Sequence, residues 1–222
     1  TNFVAKNLPN SFAVLAAAEK GNLFFAPDTY MEKIVIGPNL PNDLVDLDFS
    51  VEKNISRLAE AKNISPEKLT VCILDRPRHE KIISILNEMN VKLKLISDGD
   101  VSGAIYVINE KYAVDMYIGT GGGPEGVLAA AALSCYGAQI QTRLILDYNE
   151  AVRAKKMGID DLKRKYKVED MVKDDVMFCA TAITNGELID GIVDHKDSYE
   201  ATSIGLHKKG NIKKIFKNKH YK

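Results

Sequence analysis

The chain has 222 residues and a mass of 24.5 kDa, with 30 Lys plus Arg against 30 Asp plus Glu, 45% hydrophobic residues, 7% aromatic residues and no Trp. That length supports one large or two small domains with a real core, and the composition excludes collagen-like, disordered and disulfide-scaffold classes. A net charge of zero argues against a nucleic-acid partner, because neutralising many phosphates takes a surplus of Lys and Arg.

The sequence opens at Thr1 with no initiator Met and no basic-then-apolar leader, which reads as a processed chain or a piece of a longer one. Phe12 to Ala18 and Leu23 to Phe25, joined by Glu19-Lys20-Gly21-Asn22, predict a hairpin, since Gly and Asn supply the positive φ of a tight turn. A helix is predicted from about Ser50 to Lys62, and Ser65-Pro66-Glu67 has the order of an N-cap, a first helical position and a first-turn acid. Strands and helices then alternate: a strand at 70–74, a helix at 79–89, a strand at 92–96, a helix opening at Asp98, a strand at 113–118, an Ala-rich helix at 123–136 and a strand at 140–146. This rhythm predicts an α/β sheet with mainly parallel neighbours. Residues 149–174 are charge-dense and helical in character, and 176–184 is apolar and β-rich. The tail from His207 to Lys222 holds seven Lys and no acid, the composition of a protected sheet edge or, alternatively, of an anion-binding arm.

Cys72, Cys135 and Cys179 are widely spaced and lie in apolar runs, which fits core thiols in a reducing cytoplasm. No apolar run approaches the ~20 residues of a membrane span. A soluble, cytoplasmic protein without a membrane partner is therefore expected.

Polar residues concentrate where strands should end, the place where open α/β sheets bind ligands. Three such loops are Asp75-Arg76-Pro77-Arg78-His79, Ser97-Asp98-Gly99-Asp100, and Gly119 through Gly126. Gly121, Gly123 and Gly126 satisfy G-x-G-x-x-G, and Asp147 lies 21 residues past Gly126, the spacing of a dinucleotide fingerprint with its ribose acid. Glu125, however, falls in the first helical turn, where a carboxylate repels a pyrophosphate unless a cation lies between them. Phosphate plus metal is the better reading. Arg76 and Arg78 flank Pro77 and offer planar donors to phosphate oxygens, although each also fits an ordinary surface arginine. His79 fits a helix start without chemistry. Asp98 and Asp100 fit either an N-cap with a first-turn acid or acceptors for sugar hydroxyls.

The runs Ala26 to Lys33, Arg76-Pro77-Arg78-His79, Asp98-Gly99-Asp100 and Gly122-Gly123-Pro124-Glu125-Gly126-Val127 resemble, in order, motifs of the class II fructose-1,6-bisphosphatases. The resemblance continues through Lys155 to Ile159, Phe178 to Gly186 and Lys219-His220-Tyr221, and covers essentially the whole chain. It implies a metal-dependent sugar bisphosphatase of the inositol-monophosphatase-like superfamily with a layered α-β-α-β-α fold, from which the N-terminal part of the first domain is missing. Residues 1–40 would be the remnant of that α+β domain, rejoined by the C-terminal strands, with an α/β substrate-binding domain at 41–174 and a β-rich segment at 175–222. The implied reaction is hydrolysis of the 1-phosphate of fructose 1,6-bisphosphate in gluconeogenesis; some members also accept sedoheptulose 1,7-bisphosphate. The resemblance further implies a homo-oligomer whose partner is a small sugar bisphosphate.

On the same resemblance, Tyr30 contacts substrate, Arg76, Pro77 and Arg78 hold phosphate, Asp98, Gly99 and Asp100 meet the sugar, Gly122 borders the pocket, and Glu125 binds Mn²⁺ or Mg²⁺. Arg76 replaces the Lys common at that place, which keeps the charge and alters the geometry. Counting back from Tyr30 makes Thr1 the last residue of the family's Asp-Pro-Ile-Glu-Gly-Thr motif, beside the metal-activated water and the substrate. The other metal ligands would precede it, so the segment alone is expected to be inactive. Three alternatives stand beside this reading: an NAD-binding oxidoreductase using 121–126, an N-terminal-nucleophile hydrolase using Thr1, and a sugar-phosphate-binding module without turnover.

Overall fold

The computed structural model describes residues 5–6 and 9–222. Its strands are β1 (Phe12–Ala17), β2 (Tyr30–Ile36), β3 (Thr70–Leu74), β4 (Lys92–Ile96), β5 (Met116–Gly122), β6 (Gln139–Ile145), β7 (Lys165–Lys167), β8 (Met177–Ala182), β9 (Val193–His195), β10 (Ser198–His207) and β11 (Ile212–Tyr221). Its helices are α1 (Val51–Ala61), α2 (Glu80–Glu88), α3 (Asp100–Ile105), α4 (Gly123–Ser134), α5 (Tyr148–Lys156) and α6 (Val168–Met171).

Local signals explain most boundaries. Ser50 caps α1 by accepting from the Lys53 amide at 3.2 Å, and Asn63 in the left-handed region (φ 54°) follows its end. The α1 face that carries Ile55, Leu58 and Ala59 is buried. Pro66–Lys68 is one 3₁₀ turn, and the Ser65 hydroxyl donates to Glu67 instead of capping a backbone amide.

Two sheets form. The first runs β4-β3-β5-β2-β6-β7, with β3 parallel to β4 and β5, and with β2 antiparallel to both β5 and β6. The expectation of mainly parallel neighbours holds for that trio only, because β2 enters from the N-terminal side of the chain without a crossover helix. The second sheet is antiparallel, β1-β8-β10-β11, with β9 on β10.

The hairpin expected at 12–25 does not form. A turn at Glu19–Asn22 is present, but β1 pairs with β8 across the molecule, and Leu23 makes a single bridge to Val172. The intervening segment carries the chain from one sheet to the other. Long-range pairing that buries Phe12, Val14 and Ala16 against the core has outweighed the local turn signal.

The layers follow from which strand faces are apolar. One face of the six-stranded sheet, through Ile34, Ile36, Val71 and Ile73, packs on α1 and α2. The other, through Met31, Val35 and Tyr117, packs on α3 and α4, and the far side of α4 meets Phe178, Ala180 and Leu206 of the second sheet. Helix α4 is apolar all round, with Ala129 to Leu133 all buried, as a helix between two sheets must be. The order among the described residues is thus α-β-α-β. Strand β11 is exposed along its whole length at the sheet edge, and Lys217 and Lys222 pair there with Asp190, Glu200 and Asp194. Cys72 and Cys135 are buried core thiols, and burial pushes Cys72 up to about 12. No described helix is long and apolar enough to cross a membrane.

Candidate active site

Strand directions bring the polar segments to one edge. β3, β4, β5 and β6 all end there and β2 begins there, so residues 75–79, 97–100, 119–122 and Tyr30 become neighbours although they are far apart in sequence.

The centre of this edge is the last residue of the motif run Ala26 to Lys33, one to which no role was assigned from the sequence. Lys33, on the inner face of β2, is 1% exposed, donates to Asp100 Oδ2 and donates to the Gly122 carbonyl at 2.7 Å. Burial lowers the Lys33 pKa from the ordinary lysine value, and the charge and hydrogen bond of Asp100 oppose that shift. A Lys between Met31 and Val35, in a strand buried on both faces, was the available signal: a charge at such a place needs a partner.

The glycine run is not a loop. Gly119 to Gly122 lie in β5, paired residue for residue with Lys33 to Tyr30. A Cβ at Gly121 would lie 2.9 Å from Asp100 Cγ and 3.0 Å from Lys33 Nζ, and one at Gly122 would lie 2.7 Å from Glu125 Cδ. At Gly126 it would meet Met31 Sδ at 2.5 Å and Lys33 Cε at 3.0 Å, and at Gly123 the Pro27 carbonyl at 2.9 Å. The space that these glycines leave is filled by the protein itself, not kept for a pyrophosphate. The Gly123 amide, at the start of α4, already donates to the Thr29 carbonyl at 2.7 Å. Asp147, the expected ribose acid, is instead the N-cap of α5 in a reciprocal capping box with Glu150. The dinucleotide reading therefore loses both its cradle and its acid.

His79 is structural. It is 1% exposed, its Nδ1 is 2.8 Å from the Leu74 carbonyl, and its Nε2 accepts from the Thr120 amide at 2.8 Å. Both bonds require the neutral ring with the proton on Nδ1. Burial lowers its pKa, the Leu74 bond opposes this, and the Arg78 and Arg76 charges add to the lowering. His79 thereby fixes the 3₁₀ turn Pro77–His79 against β5. Arg78 reaches over the same strand, donating from Nε and Nη2 to the Thr120 carbonyl at 3.1 and 2.8 Å, with its guanidinium 5.1 Å from the centre of the half-exposed Tyr30 ring. Among the described residues, Arg76 is held only through the Asp75 carbonyl at 3.3 Å.

Asp98 is exposed and accepts from the Gly99 amide at 2.9 Å; Gly99, in the left-handed region (φ 83°), is the N-cap of α3, one residue later than expected. Asp100 is buried with one oxygen committed to Lys33. Glu125 is exposed in the first turn of α4 and makes no hydrogen bond or ion pair among the described residues. Its hard oxygens suit a divalent cation as one ligand. Among the described residues no group of three His, Cys, Asp or Glu could hold a metal by itself. Thr1, the expected residue beside the reacting phosphate, lies outside the described residues.

Stacked α and β layers, with an arginine, an aromatic ring and two carboxylates at one sheet edge, give an α/β protein with a polar site at its strand ends. The chain belongs to the family described as bacterial fructose-1,6-bisphosphatase, glpX-encoded, whose model matches residues 1–220. It is 35% identical over 236 residues to the fructose-1,6-bisphosphatase class 2 of Haemophilus influenzae, covering 100% of this chain and 70% of that protein. It is 39% identical over 207 residues to the D-fructose 1,6-bisphosphatase class 2/sedoheptulose 1,7-bisphosphatase of Synechococcus sp. strain JA-3-3Ab, and likewise to that of strain JA-2-3B'a(2-13). Those two alignments cover 86% of this chain and 59% of each relative. The family is one of metal-dependent phosphatases of carbohydrate metabolism.

Proposed function

We propose that the chain carries the sugar-phosphate site of an enzyme that hydrolyses the 1-phosphate of fructose 1,6-bisphosphate in gluconeogenesis, with sedoheptulose 1,7-bisphosphate as a second substrate. The observation that supports this most is the gathering of Tyr30, Arg78, Asp100, Gly122 and Glu125 around the β5 edge. In this reading Arg76 and Arg78, on the turn fixed by Pro77, hold phosphate; Tyr30 closes the pocket beside Arg78; and Asp98 and Asp100, either side of Gly99, accept sugar hydroxyls at the edge that Gly122 borders. Glu125 is one ligand of a divalent cation, Mn²⁺ or Mg²⁺, which neutralises charge on phosphoryl oxygens when bound. Thr1 stands beside the reacting phosphate, and a cytoplasmic homo-oligomer belongs to the same reading.

The test is release of inorganic phosphate from fructose 1,6-bisphosphate by the intact protein that contains this segment, with Mn²⁺ and with Mg²⁺, alongside Arg78→Ala; the segment alone is expected to release none. The expected result is metal-dependent release that falls at least about tenfold in the variant, the loss of a charge-assisted phosphate contact. Metal-dependent release unchanged by the substitution would remove Arg78 from the phosphate site. Binding of sugar bisphosphate by the intact protein without turnover would favour a non-catalytic module.

A further inference from the structure

Lys33 occupies a slot made for it. Strand β2 is hydrogen-bonded on both sides, to β5 and β6, so the Lys33 backbone is fixed. The side chain runs over Gly126, where a Cβ would be 3.0 Å from Cε, and past Gly121, where a Cβ would be 3.0 Å from Nζ. It ends between two elements of the candidate pocket, the Asp100 carboxylate and the Gly122 carbonyl, and the Glu125 charge also acts on it. For stability alone an apolar pair would serve as well as a buried ion pair, so what the pair gains here is fixed geometry. With Oδ2 held by the ammonium, the Asp100 side chain is 10% exposed, and Oδ1 accepts no hydrogen bond from a described residue.

We propose that Lys33 is a positioning residue for the sugar: its ammonium locks Asp100 and the Gly122 carbonyl in one arrangement and aims the second Asp100 oxygen at a substrate hydroxyl, without itself touching the phosphate. This rests on the sugar-phosphate reading above. Without the ammonium, Asp100 is a buried carboxylate that has lost its hydrogen-bonded counter-charge, and it is no longer held in its slot. The phosphate donors Arg76 and Arg78 stand on a different turn, fixed by His79; the Arg78 charge acts on Lys33 from a distance, but neither arginine bonds to the Lys33–Asp100 pair.

The experiment compares equilibrium binding of fructose 1,6-bisphosphate and of inorganic phosphate, by calorimetry on the full chain without divalent cation so that no substrate is hydrolysed, for wild type, Lys33→Met and Lys33→Gln. Far-UV circular dichroism at the measuring temperature establishes folding. Lys33→Gln keeps an N–H donor toward Asp100 and decides the matter if the Met variant does not fold. The expected result is sugar-bisphosphate affinity weakened roughly tenfold or more in Lys33→Met, the scale of one charge-assisted hydrogen bond, and less in Lys33→Gln, with phosphate affinity held within about twofold. Equal weakening for both ligands, or wild-type affinity for both in a folded variant, would overturn the proposal. A wild type that binds phosphate but not the sugar bisphosphate would overturn the sugar-phosphate reading and this inference with it, whereas the first two outcomes leave that reading standing.

Discussion

Replacing Gly121 by Ala adds a single methyl group where the structure has none to spare. The backbone at this position has no positive φ, so the substitution carries no conformational strain of its own, and the cost is set by what the methyl meets. It would stand 2.9 Å from Asp100 Cγ and 3.0 Å from Lys33 Nζ, two groups 8% and 1% exposed. Turning the carboxylate aside relieves the contact only by separating a buried ion pair. Breaking such a pair costs about 3–5 kcal/mol, and forcing a methyl into packed surroundings about 1–3 kcal/mol. Taking ~3 kcal/mol and the ~2–4 °C per kcal/mol of a chain this size, the melting temperature should fall by roughly 6–12 °C. Gly137→Ala is the control: its φ of 69° makes Ala strained, but nothing lies within 4 Å, so only ~1–2 kcal/mol is expected. Thermal unfolding followed by circular dichroism compares the two. A Gly121→Ala melting temperature no lower than that of Gly137→Ala would refute the claim that the glycine run exists to admit the Lys33–Asp100 pair.

His79 must stay neutral to keep its bonds to Leu74 and Thr120, and its pKa is lowered in the folded chain, so its contribution is present above the ordinary imidazole value of 6.5 and is lost as pH falls below it. Urea midpoints at about pH 8 and about pH 5.5 should show the gap between wild type and His79→Gln narrowing at the lower pH; a gap that widens contradicts the sign. The Tyr117 hydroxyl is, among the described residues, a buried polar atom without a hydrogen-bond partner, so Tyr117→Phe should leave stability unchanged or raise it by up to ~1 kcal/mol. A clear loss in chemical denaturation would mean that the hydroxyl is satisfied after all. Asp147→Ala removes the α5 capping box and should cost about 1 kcal/mol in stability while leaving phosphate release intact; an effect on catalysis would reopen the ribose-acid reading.

The sequence made the elements readable wherever local chemistry decides. The strands expected at 70–74 and 92–96 match β3 and β4, and Ser50 and Asn63 bracket α1 as their types suggest. What it concealed was pairing between distant segments. The Gly-rich run looked like a loop because glycine is rare inside strands, yet β5 continues through it because β2 supplies partners and Lys33, Asp100, Glu125 and Met31 supply the missing bulk. The three polar segments at strand ends were legible because strand order places them at one edge. Lys33 closes the motif run Ala26 to Lys33 but carried no assigned role because it lies within a strand and in no polar loop, and its significance arises only when Asp100, 67 residues away, comes to meet it.

The placement of β2 also bears on how the chain is made. Its residues leave the ribosome before any of its partners, and Met116 to Gly122 and Gln139 to Ile145 must follow before both flanks are paired. About 110 residues separate the end of β2 from the end of β6, roughly 5–20 s of synthesis at ordinary elongation rates. For the first part of that interval, until β5 emerges, Met31, Ile34, Val35 and Ile36, all fully buried in the finished sheet, have no partner strand, and until Asp100 emerges Lys33 lacks its native counter-ion. The lysine that the native core must neutralise is, in the nascent chain, a charge within an otherwise sticky segment, the kind of gatekeeper that discourages β2 from pairing with another copy before its own neighbours exist.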